Sequence, residues 1–113
     1  MERLNRYRGK VLEMPLPMVL EFHPEVQKEI QSAFDWYEDK SVGLGERFLN
    51  ELDAGFISIQ TQPKIHQAQI GNIRRCLVQK FPFGILFIEK SSCVYVLALM
   101  HLKQRPYYWL SRK

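Results

Sequence analysis

The chain has 113 residues, 46% of them hydrophobic, and a formal net charge of +4. That length builds one compact core and is too short for two domains. No apolar run reaches the roughly 18 residues of a membrane span, and no basic start leads through an apolar stretch to a small-residue cleavage site, so neither a membrane segment nor a secretory signal is indicated and the expected location is the cytoplasm.

Residues 1–17 show no sustained period and close on Pro15-Leu16-Pro17, which cannot continue a helix. They read as a poorly ordered leader. Met18 directly precedes the first convincing strand, which leaves open both a translation start at Met18 and a true arm that contacts a partner; residues 18–113 form the single domain either way. Val19 to Phe22 predicts a short strand. His23-Pro24 is a helix start, with proline at the first helical position where its missing N–H costs nothing. Val26, Ile30, Ala33, Phe34 and Tyr37 then form an apolar stripe to about Lys40. Ser41-Val42-Gly43 breaks the pattern, and Leu44, Phe48, Leu52, Phe56 and Ile59 define a second helix from about Gly43 to Gln60. The short connection makes the two an antiparallel hairpin whose apolar faces require a sheet.

Thr61 to Gln69 is polar, contains Pro63, and reads as a loop. Strands are predicted over 73–81, 85–89 and 94–100, separated by the turn-like Pro82-Phe83-Gly84 and Lys90-Ser91-Ser92. The last two are almost wholly apolar, the pattern of interior strands buried on both faces, and their short connections make neighbours antiparallel. The expected order is β-α-α-β-β-β, an α+β fold with the helical hairpin packed on a small antiparallel sheet. Cys76 and Cys93 lie inside strand-like segments with no metal or redox spacing and read as buried thiols.

Charge is divided unevenly. Residues 1–18 hold four basic and two acidic side chains, 19–70 four basic and nine acidic, and 71–113 eight basic and one acidic, giving blocks of +2, −5 and +7. A C-terminal third this basic suits an acidic partner or a polyanion, or else simply keeps a strand-rich half in solution.

The order of elements, the hairpin phrase DWYEDKSVGLGERFLNEL, the strand RRCLVQKFPFGILF and the ending VLALMHLKQRPYYW together resemble the RelE/ParE superfamily of toxins from bacterial type II toxin–antitoxin systems, over about residues 18–109. The long hairpin and the Phe-Pro turn are closer to the ParE branch. The resemblance implies a toxin of a plasmid-stabilisation system that arrests growth by inhibiting DNA gyrase until a cognate antitoxin binds it, with operator DNA reached only through the antitoxin, and with no cofactor, metal or membrane involved. An alternative is a ribosome-dependent mRNA endoribonuclease of the RelE kind; a third is an inactive member that only binds antitoxin.

Chemistry separates the first two. Cleavage by 2′-hydroxyl attack needs a base, an acid and a cation at the crowded phosphorus. The position at which RNA-cutting relatives carry an arginine corresponds to Gly84, and no Asp or Glu lies between Asp53 and Glu89. If the chain is nonetheless a nuclease, His101 with Arg75 and Lys80 is the set to test. If it is a gyrase inhibitor, the expected contact surface is Arg74, Arg75, Lys80, Lys103, Arg105, Tyr108 and Trp109, with Tyr107 beside them, because arginine and aromatic side chains dominate interface energetics.

Overall fold

The computed structural model describes residues 3–11 and 18–113. His23 is extended, and its Nδ1 accepts the Glu25 amide hydrogen at 3.1 Å, capping the helix that Pro24 opens. That helix, α1, spans Pro24–Lys40. Gly43, at φ 88°, makes the left-handed step into α2, Leu44–Thr61. Glycine offers no capping side chain, so Glu38 supplies one: its two carboxylate oxygens accept the amides of Gly43 and Gly45, each at 2.9 Å. A Cβ on Gly45 would stand 2.7 Å from the Phe34 ring, so this residue sets how closely the helices approach.

The sheet has six strands: β1 (Gly9–Val11), β2 (Val19–Phe22), β3 (Gln67–Ile70), β4 (Ile73–Leu77), β5 (Phe83–Glu89) and β6 (Cys93–His101), in the order β1-β2-β6-β5-β4-β3. The last four form the antiparallel meander that the short connections dictate. β2 instead joins β6 in parallel, with Leu20 opposite Val94 and Phe22 opposite Val96. The sheet is therefore mixed where an antiparallel one was expected. The reason lies at His23, whose N–H donates to the Val96 carbonyl at 2.9 Å as the chain leaves β2 for the hairpin, which returns it only at β3.

Two segments read as irregular carry structure. The predicted loop over 61–69 contains β3, which covers the outer edge of β4. The predicted leader is split: residues 12–17 lie outside the described residues, while 3–11 form a 3-10 turn at Leu4–Arg6 and then β1, antiparallel to β2. Leu4 and Tyr7 are buried in the main core, which gives this segment a reason to order.

Both sheet faces are covered. Val26, Ile30, Phe34, Phe48, Leu52 and Phe56 of the hairpin pack on Leu20, Phe22, Ile85, Phe87, Val94 and Val96. The opposite face, built from Ile73, Leu86, Ile88, Leu97, Ala98 and Met100, is covered by the chain after β6, through Trp109 with Tyr108 and Leu110. A β-bulge explains why the run through β6 does not alternate. Phe87 pairs with Val96 but Leu86 with Ala98, so Leu97 has no opposite residue and both Leu97 and Ala98 face the tail. Each large side chain buried in this way contributes about 1.5–3 kcal/mol. Cys76 is buried, its thiol pushed up to about 11 by desolvation, while Cys93 is half-buried; both are free. No helix among the described residues is long and apolar enough to cross a membrane.

Candidate functional site

At one end of the sheet two segments are stitched together. Val78 N–H donates to Phe83 O and Leu102 N–H donates to Pro82 O, each at 2.9 Å, so the turn before β5 lies against the segment after β6. Lys80 (φ 69°) and Tyr107 (φ 73°), the two non-glycine residues at positive φ among those described, lie in these two segments. Such backbone costs about 1–2 kcal/mol per residue and gathers at functional surfaces. Lys80 is exposed, with its ammonium 3.6 Å from the Glu51 carboxylate. Lys103, Arg105 and Tyr107 are exposed as well. The one acid of the C-terminal third, Glu89, closes the far end of β5 and is held there by Lys64 at 2.9 Å.

Arg75 lies across Gly84. A Cβ on Gly84 would stand 2.9 Å from Arg75 Cδ and 3.6 Å from Leu102, so the absence of a side chain makes room for the arginine stem of the next strand. The nuclease set is not assembled. Arg75 pairs with Leu86, on the tail-covered face, whereas His101 pairs with Phe83, on the hairpin face, and their rings meet edge-on at 5.0 Å. His101 Nδ1 is already engaged, accepting the Lys103 amide hydrogen at 3.0 Å. His23 and His66 serve structure: the first caps α1, and the second pairs with Ser58 Oγ at 3.0 Å, its imidazole pKa lowered by burial.

The proposed contact residues divide three ways. Lys80, Lys103 and Arg105 share the stitched end. Arg74 points elsewhere, donating to the carbonyls of His66 at 2.8 Å and Lys64 at 3.3 Å. Trp109 is only 1% exposed, and its indole N–H donates to Met100 Sδ at 3.3 Å, so burial removes it from the contact surface assigned from sequence. Tyr108 is half-buried, its hydroxyl donating to Glu29 Oε2 at 3.2 Å, and burial followed by the Glu29 charge raises its pKa.

A groove of about 560 Å³ runs between α1 and the outer edge of β6, lined by Lys28, Glu29, Ser32, Ala33, Trp36, Tyr37, Phe83, Leu99, His101 and Gln104. Because β2 ends opposite Val96, the edge of β6 beyond it has no neighbouring strand among the described residues. Side chains fill the ladder positions instead: Arg112 donates to Leu97 O at 3.0 Å, Leu99 N–H donates to Glu29 Oε1 at 3.0 Å, and His101 N–H donates to Gln104 Oε1 at 2.8 Å. Trp36 stands 58% exposed on the rim, with the Lys40 ammonium 4.5 Å from its ring centroid. The sequence held a signal for this groove, since Trp36 sits off the apolar stripe of α1. Glu29 and Arg112 gave none, because their roles depend on where β2 stops.

No group of three or more His, Cys, Asp or Glu among the described residues could hold a metal ion.

A helical hairpin on a β-meander to which β2 adds in parallel is an α+β fold, and residues 20–106 match the family described as ParE toxin of type II toxin-antitoxin system, parDE. The chain belongs to that family. Among solved structures it is similar in fold to the chromosomal ParDE TA system from P. aeruginosa, at 13% identity and a TM-score of 0.65, with 77% of this chain and 98% of that chain covered. No curated protein matches the sequence.

Proposed function

We infer that this ParE-family toxin acts in the cytoplasm by inhibiting DNA gyrase through the stitched end of its sheet, and that a cognate antitoxin neutralises it by docking in the groove between α1 and β6. The observation that carries the target assignment is the conjunction at one end of Lys103, Arg105 and Tyr107, exposed and without an ion pair among the described residues, with strained backbone at Lys80 and Tyr107. Rigid presentation of cations and an aromatic ring suits protein recognition. The separation of His101 from Arg75 by the thickness of the sheet weighs against the RNA-cleaving alternative.

For the antitoxin, the groove combines an apolar floor at Ala33, Tyr37 and Phe83 with both Lys28 and Glu29 of α1, the Lys28 ammonium lying 3.3 Å from Glu25. That chemistry fits an amphipathic segment with apolar anchors, ordering as it binds. Operator DNA would be reached only through that partner. The test is to induce the toxin alone in a bacterial host and follow thymidine and methionine incorporation over the first minutes, alongside a supercoiling assay with purified gyrase. An early fall in DNA synthesis with translation intact, and inhibited supercoiling, is the expected result; early translation arrest with active gyrase would overturn it.

A further inference from the structure

Residues 3–11 precede the region matched to the family, which begins at residue 20, yet they are bound to the fold by every device used to recognise a separate peptide. Arg3 sits in a polar box, its Nη1 on Glu46 at 2.9 Å and its Nη2 on Asn50 at 3.0 Å and Asp53 at 2.8 Å. Leu4 is 1% exposed, and the Tyr7 ring lies against Phe22 and Phe56 at centroid distances of 6.2 and 5.7 Å. The Tyr7 hydroxyl donates to Asp53 Oδ1 at 2.6 Å. Gln27 donates to the Leu4 carbonyl at 3.3 Å and to Asn5 Oδ1 at 3.0 Å. Gly9–Val11 then add as an antiparallel strand to β2, with Gly9 opposite Phe22 and Val11 opposite Leu20.

We propose that the cleft between β2, α1 and α2 is a segment-binding site whose resident ligand is the chain's own N-terminal arm, and that it takes a basic amphipathic segment: an arginine, an aliphatic and an aromatic anchor, then a short extended stretch. Glu46 and Asp53 select a cation and repel an acidic segment. Charge therefore separates this cleft from the mainly apolar groove between α1 and β6, which holds Lys28 and Glu29 together. The resident arm holds its site at an effective concentration on the order of mM. While it is seated, β2 is paired, and the edge strands of the sheet are β1 and β3. The arm thus decides whether a partner meets β2 itself or the outer edge of β1.

The experiment uses the full chain carrying Arg3→Ala and Tyr7→Ala, which unseat the arm, titrated with a fluorescent peptide of residues 1–17. The variant binds the peptide saturably and at least about tenfold more tightly than the wild-type chain, whose own arm competes. Adding Asp53→Lys abolishes binding, and an acidic peptide of equal length does not bind. Absence of saturable binding by a variant with native circular dichroism, binding that survives Asp53→Lys, or a preference for the acidic peptide overturns the proposal. If the variant does not fold, the wild-type chain decides: with excess unlabelled peptide, the isotope-labelled protein shows Tyr7 resonances of a released arm, and their absence at millimolar peptide overturns the proposal. None of these readouts depends on toxicity, so the outcome is independent of the gyrase assignment.

Discussion

Glu29 on α1 and Arg112 near the C-terminus, 83 residues apart, meet at 2.9 Å, and the same carboxylate accepts the amide of Leu99 and the hydroxyl of Tyr108. One side chain therefore ties together the helical layer, the unpaired edge of β6 and the tail that covers the far face of the sheet. Burial raises the Glu29 carboxyl, opposed by the Leu99 amide and Arg112. Removing Arg112 takes a guanidinium donor from both Leu97 O and Glu29. Arg112→Ala is expected to destabilise the fold by about 1.5–3 kcal/mol, the range for hydrogen bonds to a charged group. It should also red-shift Trp109 fluorescence as the tail loosens. Urea denaturation with tryptophan emission measures both, and a stability loss without a change in emission would separate the ion pair from the tail.

The relation between Arg75 and Gly84 predicts coupling. Gly84→Ala places a Cβ 2.9 Å from Arg75 Cδ, so the arginine stem must shift. The expected cost is about 1 kcal/mol in the wild-type background and near zero with Arg75→Ala. A double-mutant cycle in urea gives the interaction energy directly. Additive effects would show that the strand backbone, and not the arginine, makes this position intolerant of a side chain.

Two phenols predict how the fold responds to alkali. Tyr7 and Tyr108 are both raised above the ordinary tyrosine value, chiefly by burial and then by the carboxylates they touch, Asp53 and Glu29. A group whose folded pKa exceeds its unfolded one contributes fully below the unfolded value, about 10, and loses that contribution as pH rises toward the folded value. Stability should therefore fall as pH rises above about 10. Tyr7→Phe with Tyr108→Phe should flatten that fall. Thermal unfolding of wild type and double variant across pH 8–11 is the measurement.

How much of this was legible follows from range in sequence. The hairpin was readable because its signals are local: His23-Pro24 opens α1, a period near 3.6 runs through both stripes, and Gly43 marks the break. The two innermost strands were readable because burial on both faces leaves an apolar run. The parallel placement of β2 was not, since it depends on where the hairpin sends the chain. β3 is four residues long with an exposed, polar surface, and only its ladder to β4 defines it. The arm was hidden because its partners, Glu46 and Asp53, lie more than forty residues away and read as a solvated helix face. The tail misled in part: RPYYW reads as a uniform patch, but Trp109 turns inward and Tyr107 outward.

Trp36 is the sharpest test of the groove. At 58% exposed it supports little of the core, so Trp36→Ala should change stability by no more than about 0.5 kcal/mol. As a rim aromatic beside an apolar floor it has the character of an interface anchor, whose truncation costs about 2 kcal/mol or more of binding. Titration calorimetry with the cognate antitoxin should then show affinity weakened about thirtyfold. Unchanged affinity would move the antitoxin to another surface.

The tail offers a paired experiment in which stability and toxicity should part company. Trp109→Ala empties a buried site and should cost about 3–5 kcal/mol, so lost toxicity in that variant would report unfolding. Lys103→Glu with Arg105→Glu changes exposed positions on the same segment and should leave stability within about 0.5 kcal/mol of wild type. If the stitched end contacts the target, this second variant loses growth arrest and supercoiling inhibition while keeping its unfolding midpoint and its antitoxin affinity. Retained toxicity in a folded charge-reversed variant would remove that end of the sheet from the target interface and leave Arg75, across Gly84, as the next cation to change.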